Sequence, residues 1–297
     1  MFVGPTDDTG PRARRASRKR LDPPPAGVLR SAFVEQALDT RWFDPARLNV
    51  LVGVLLFTAF LVVNIIRAKG GKELYVRPIA GLKALDEAIG RATEMGRPVL
   101  YVPGLSDMSE VGTFAAITIL YRLAHRVAEM GCDIDVPCYD PVVMTVLDGA
   151  VREAYSKVGK PDAFRPGCVH YVSAQQMAYV GAVNGYMLRE RPAANIYMGS
   201  FYAESLLLAE TGASTGAIQI AGTDKVTQLP FFVCACDYTL LGEELFAASA
   251  YLGREPVQLA TIIAQDWAKA AAAAAVVAAL ALSALGNPAL VQWLRIA

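Results

Sequence analysis

The residues with the most chemistry to offer sit where short apolar runs end. Pro103-Gly104-Leu105-Ser106-Asp107, Tyr139-Asp140-Pro141, Ser173, Gly199-Ser200 with nearby Glu204, Gly222-Thr223-Asp224 and Asp237-Tyr238 supply carboxylates, hydroxyls and glycines at those ends. Brought to one rim, Asp107, Asp140, Asp224 and Asp237 would offer the oxygen ligands that Mg²⁺ takes, or would bind a small polar molecule. Glycines there allow close backbone approach, and helix N-termini favour anions. The candidate ligand-binding set is Gly104, Ser106, Asp107, Asp140, Gly199, Ser200, Glu204, Thr223 and Asp224. Taken singly, Asp, Ser and Thr at such junctions are more often helix N-caps.

Named catalytic signatures fail. Gly212-Ala213-Ser214-Thr215-Gly216 has the letters of a nucleophile elbow, but that elbow needs a strand before it and a helix after it. Here the order is reversed. Neither a dinucleotide-binding glycine fingerprint nor a P-loop is present. Asp133-Ile134-Asp135 puts two carboxylates on one strand face, near the strand's start and so away from the rim. His125, among Arg122, Arg126 and Glu129, reads as a solvated helix face, and His170 lies within a strand with no evident acid partner. With two histidines, five cysteines and no CxxC pair, no metal, cofactor or catalytic residue is assigned.

The elements that must position the rim alternate along the chain. Strands are expected at Leu74–Val76, Pro98–Pro103, Asp135–Cys138, Cys168–Val172, Asn195–Met198, Ala217–Ala221 and Phe231–Cys236. Pro137 demotes the third to an edge or a strand end. Helices are expected at Leu82–Met95, onward to Met130 with Asp107 or Ser109 as cap, and at Pro141–Val158, Gln175–Glu190, Tyr202–Thr211 and Gly242–Leu252. This alternation predicts an α/β fold, Rossmann-like, with a mostly parallel sheet, helices on both faces and ligands outside the carboxyl ends of the strands. Phe114–Leu123, Met177–Leu188 and Ser205–Ala209 are apolar on more than one helical face, which asks for a second cover.

Two apolar segments flank this domain. Leu48–Ile66 has nineteen residues and no charge, with Asp44-Pro45 and Trp42 before it and Arg67, Lys69 and Lys72 after it. At about 1.5 Å per residue it spans roughly 28 Å, the thickness of a hydrocarbon core. Ala268–Leu294 is alanine-rich and interrupted at Gly286-Asn287-Pro288, which suits a membrane helix packed on protein. The expected division is 1–44 a disordered basic tail, 45–69 a first transmembrane helix, 70–266 the α/β domain and 267–297 a second transmembrane helix. The tail carries six basic groups in residues 11–20, yet formal net charge is zero and no nucleic-acid partner is expected.

Arg67, Lys69, Lys72, Arg77 and Lys83 follow the first span and argue for a cytoplasmic central domain, although the basic tail would then have to cross. Cys132, Cys138, Cys168, Cys234 and Cys236 form an odd, irregular set suited to a reducing compartment, with Cys234 and Cys236 sharing a strand face.

The stretch Glu73–Gly104 (ELYVRPIAGLKALDEAIGRATEMGRPVLYVPG) with Asp44–Asn49 before it resembles an uncharacterised family of prokaryotic membrane proteins, known only as a domain of unknown function. The likeness runs to about Thr223. It implies a membrane-anchored α/β domain and implies no activity; the expected location is a bacterial inner membrane.

Two functions fit. The first is a non-catalytic, self-associating component of a membrane protein assembly, with the lipid bilayer, further copies of itself and other complex subunits as partners. The alternative is a sensor or enzyme that binds a metal or small polar ligand at the carboxylate and hydroxyl rim.

Overall fold

The computed structural model describes residues 48–69, 80–253 and 256–285. The expected N-terminal tail, the Leu74–Val76 strand and the Gly286-Asn287-Pro288 interruption lie outside the described residues.

Six parallel strands are joined by helices: β1 Val99–Val102, β2 Ile134–Cys138, β3 Val169–Tyr171, β4 Ala194–Met198, β5 Ile218–Thr223 and β6 Tyr238–Leu241. The helices are α1 Leu48–Lys69, α2 Ala80–Met95, α3 Val111–Met130, α4 Pro141–Lys157, α5 Gln176–Glu190, α6 Glu204–Thr215, α7 Leu229–Ala235, α8 Glu243–Gly253 and α9 Pro256–Ala284. Strand order is β3-β2-β1-β4-β5-β6. The chain therefore reverses direction across the sheet between β1 and β4, where Val102 pairs with Tyr197. Crevices form at such a reversal in open parallel sheets.

Both faces of the sheet are covered, so its strands are short, mostly apolar runs, interrupted by the buried polar residues Asp135, Asn195 and Gln219. Val99, Tyr101, Ile134, Val136 and Ile196 pack in one core with buried residues of α2, α3, α4 and α8. Leu100, Val102 and Tyr197 pack in the other with α5, α6 and α7. There Tyr197, Phe201 and Phe232 form a cluster with ring centroids 5.2–6.4 Å apart. Such ring pairs contribute about 0.5–1.5 kcal/mol each beyond the area they bury.

The structure corrects the reading of Phe231–Cys236. Leu229–Ala235 is helical, with Pro230 in its first turn and Phe232 as its buried anchor. The last strand is Tyr238–Leu241, so Asp237 precedes it instead of following one. Cys234 and Cys236 consequently share no strand face. All five cysteines are free thiols.

Nor is β2 an edge strand. It lies between β1 and β3. Val136 donates to Cys168 O at 2.7 Å and Val172 donates to Cys138 O at 3.0 Å, so these alternate positions of β2 serve β3. Pro137 turns its missing N–H to the other side, past the last β1–β2 pair, Leu100 with Asp135. A proline is tolerated there because no ladder bond is lost.

Among the described residues two helices, within Val50–Ala68 and Val257–Ala284, are long and apolar enough to cross a membrane. They pack on each other, and α9 also meets α8. Helix α9 starts at Pro256, well ahead of the expected Ala268, and its 29 residues extend roughly 44 Å.

Candidate functional site

The rim set lies at the carboxyl ends of β1, β2, β4 and β5: Thr223 ends β5, Glu204 opens α6 and the other seven residues are in the loops between. Asp237 is the exception to the wider list, since it stands at the opposite edge and accepts Gln219 N–H at 2.8 Å. The reversal point itself is closed by backbone. Leu105 N–H donates to Ser200 O at 3.0 Å. Gly199 has φ of 129°, and a Cβ there would lie 2.5 Å from Pro103 O. A Cβ on Gly104 would lie 2.7 Å from Ser200 O. These glycines serve contact between two loops, where the sequence suggested approach to a ligand.

Ser200 is buried and donates to Asp224 Oδ1 at 2.7 Å. The pair sits over the first turn of α3, where Gly112 leaves it room: a Cβ there would be 2.6 Å from Ser200 Oγ. Lys225 closes the group from outside, 3.0 Å from Glu110 and 3.6 Å from Asp224 Oδ2. Its bond to Glu110 raises the Lys225 pKa. Thr223 is buried, and its hydroxyl accepts Lys225 N–H at 3.2 Å. Ser200 and Asp224 thus form a hydrogen-bonded hydroxyl and carboxylate pair, and both histidines are elsewhere, on α3 and β3.

The other rim carboxylates are also engaged within the fold. Asp140 caps α4, accepting from Val142 N at 2.8 Å and Val143 N at 2.9 Å. Glu204 is fully buried and accepts from Tyr202 N at 2.7 Å and from the Gln176 side chain. Asp107 accepts the Ser109 hydroxyl at 2.5 Å and the Ser109 amide at 2.9 Å, and these bonds hold its carboxyl below the usual range. It caps that turn only. The α3 N-cap is Glu110, which makes no side-chain capping bond, so neither Asp107 nor Ser109 caps the helix.

An open cleft of about 360 Å³ remains beside the closed reversal point, lined by Ser106, Asp107, Glu110, Tyr139, Asp140 and Tyr202. Ser106 Oγ and Tyr202 Oη are 3.3 Å apart across it. Glu110, Tyr202 and Lys225 carried no local sequence signal, because the 115-residue separation of Glu110 and Lys225 is bridged only by the fold. His170 does have an acid neighbour: its Nδ1 is 3.8 Å from Asp135 Oδ1. The pairing was hidden for the same reason, two strands meeting across 35 residues of chain. Among the described residues no group of three or more His, Cys, Asp or Glu is placed to hold a metal.

Sheet order, helix layers and rim together define an α/β protein with an all-parallel six-stranded sheet and two helices able by length and composition to cross a membrane. More particularly, the chain belongs to the family described as a domain of unknown function (DUF6754), whose model matches residues 38–294. No curated protein and no solved structure matches the chain.

Proposed function

We propose that this chain is a membrane-anchored α/β domain that acts as a non-catalytic, self-associating component of a membrane protein assembly. One observation carries the reading: each carboxylate of the rim is already engaged by a cap, a turn or a hydrogen bond of the fold itself. The surface supports it. Phe114, Met177, Leu188, Leu206 and Leu207 are exposed on α3, α5 and α6, and Val111 opens α3 with 64% of its surface uncovered. Apolar surface of that kind marks interfaces. Leu55, Leu56 and Ile66 on α1 and Val277 and Leu280 on α9 are exposed as a lipid-facing pair of helices requires.

In this proposal residues 45–69 and 267–297 are the anchors, and 70–266 is a cytoplasmic domain at a bacterial inner membrane. The mass of the detergent-solubilised full-length protein tests assembly. A multiple of 31.8 kDa is expected, and a monomer in every mild detergent would overturn it. Impermeant thiol labelling of intact cells with Ser17→Cys and Lys160→Cys tests orientation. Label at Ser17 alone is expected, and label at Lys160 alone reverses the topology.

The 360 Å³ cleft favours a second reading, a sensor or enzyme that binds Mg²⁺ or a small polar ligand at the rim. A Mg²⁺-dependent rise in melting temperature that vanished in Asp107→Ala and Asp224→Ala would put this reading first.

A further inference from the structure

A second cavity lies away from the rim, between β2, β3 and α5. It measures about 250 Å³ and is lined by Asp135, Pro137, His170, Val183, Tyr186 and Arg189 among others. Asp135 points to this side because its neighbours Ile134 and Val136 belong to the core on the opposite face. It is only 5% exposed. Its Oδ2 is buried with no hydrogen-bond partner, and Oδ1 stands 3.8 Å from His170 Nδ1, too far for a hydrogen bond. An ionised oxygen without a partner in such surroundings is costly unless a donor, best of all a charged one, reaches it.

Arg189 supplies the opposite charge. It is exposed on α5, and its guanidinium folds back along the helix, with Nη1 3.0 Å from where a Gly185 Cβ would be. Among the described residues it has no carboxylate partner. The cavity thus has an anion at its buried end, a free cation on its exposed side and apolar wall at Pro137, Val172 and Val183. Its volume falls below the range that holds drug-sized ligands. A bare metal ion is poorly served, since Asp135 and His170 are the one carboxylate and the one imidazole on its walls.

We propose that this cavity binds a small zwitterion of the amino-acid class, its ammonium group on Asp135 and its carboxylate on Arg189. The inference stands independently of the assembly reading.

Isothermal titration of the detergent-solubilised full-length protein tests it, with L-alanine and L-valine as probes and ethylamine and propionate as half-molecules. Saturable heat is expected with at least one amino acid. Loss of one charge-assisted contact weakens binding about tenfold or more, so Arg189→Gln and each half-molecule should show that loss. Asp135→Asn should abolish the heat. Ala182→Leu, at an exposed helix position on the wall, should block binding in a protein that still melts cooperatively. No saturable heat from a cooperatively melting wild-type protein overturns the proposal. So does heat that survives Asp135→Asn or Ala182→Leu, and so does ethylamine binding as tightly as the amino acids.

Discussion

The Tyr179 hydroxyl donates to the Pro137 carbonyl at 2.9 Å, joining α5 to the interior strand that carries a proline. Both residues are buried. The bond occupies the side of β2 on which the β1 ladder has already stopped. Tyr179→Phe would strand that carbonyl away from water. A loss of about 1–2 kcal/mol is expected, read as a lower urea midpoint at unchanged slope. An unmoved midpoint would show that water replaces the hydroxyl.

Gly199 and Gly216 separate crowding from conformation. Gly216, at φ 71°, has open space around its Cβ position, whereas Gly199 meets Pro103 O. Gly216→Ala should cost about 1–2 kcal/mol, the left-handed penalty alone. Gly199→Ala adds a backbone collision to its strain and should cost several times more, to the point of poor expression. Equal losses in thermal denaturation would mean that the β1 and β4 loops can separate freely.

Thiol reactivity should follow burial. Desolvation pushes Cys168 up to about 11 and Cys236 up to about 12, and raises buried Cys132 and Cys138 as well. A raised pKa means less thiolate near neutrality and slower alkylation. Iodoacetamide at pH 7.5 should therefore modify exposed Cys234 first and spare Cys132, Cys138 and Cys168 until the protein is unfolded. Peptide mass mapping gives the order, and early labelling of Cys138 would contradict the β2 environment.

Burial also raises the Asp135 carboxyl, with the charges of His170 and Arg165 pulling the other way. The native state then holds this proton more tightly than the unfolded chain. Its stabilising contribution is full below the ordinary carboxylate range and is lost as pH rises through the raised value. Asp135→Asn should accordingly be more stable than the parent at pH 8, by about 1 kcal/mol, and the gain should shrink towards pH 4. A gain that grows on acidification would reverse the assignment.

The sequence was most informative where local chemistry and burial agree. Asp140-Pro141 reads as a helix start and is one, and Pro98–Pro103 and Asn195–Met198, read as strands, contain or adjoin the strands Val99–Val102 and Ala194–Met198. It misled at Phe231–Cys236, whose Phe, Val and Cys favour a strand, while Pro230 and the aromatic pocket around Phe232 impose a helix. Losing that strand also removed Asp237 from the rim. All nine residues of the candidate set do lie on the rim, since strand ends are local features. That Asp224 would be met by Ser200 and Glu204 by Gln176 was not legible, because those pairs come together only through the sheet order.

Helix α9 contains no glycine or proline from Val257 to Ala284, and kinks arise chiefly at such residues or at inserted groups. It is also tied sideways, for Lys269 in its middle pairs with Glu243 at the start of α8. That pair is exposed and adds little to the hold, so the packing of α9 on α1 and α8 must carry the attachment. Since α8 itself packs on β6 and α3, one unbroken apolar rod runs from the layer that covers the sheet edge to a length able to cross a bilayer.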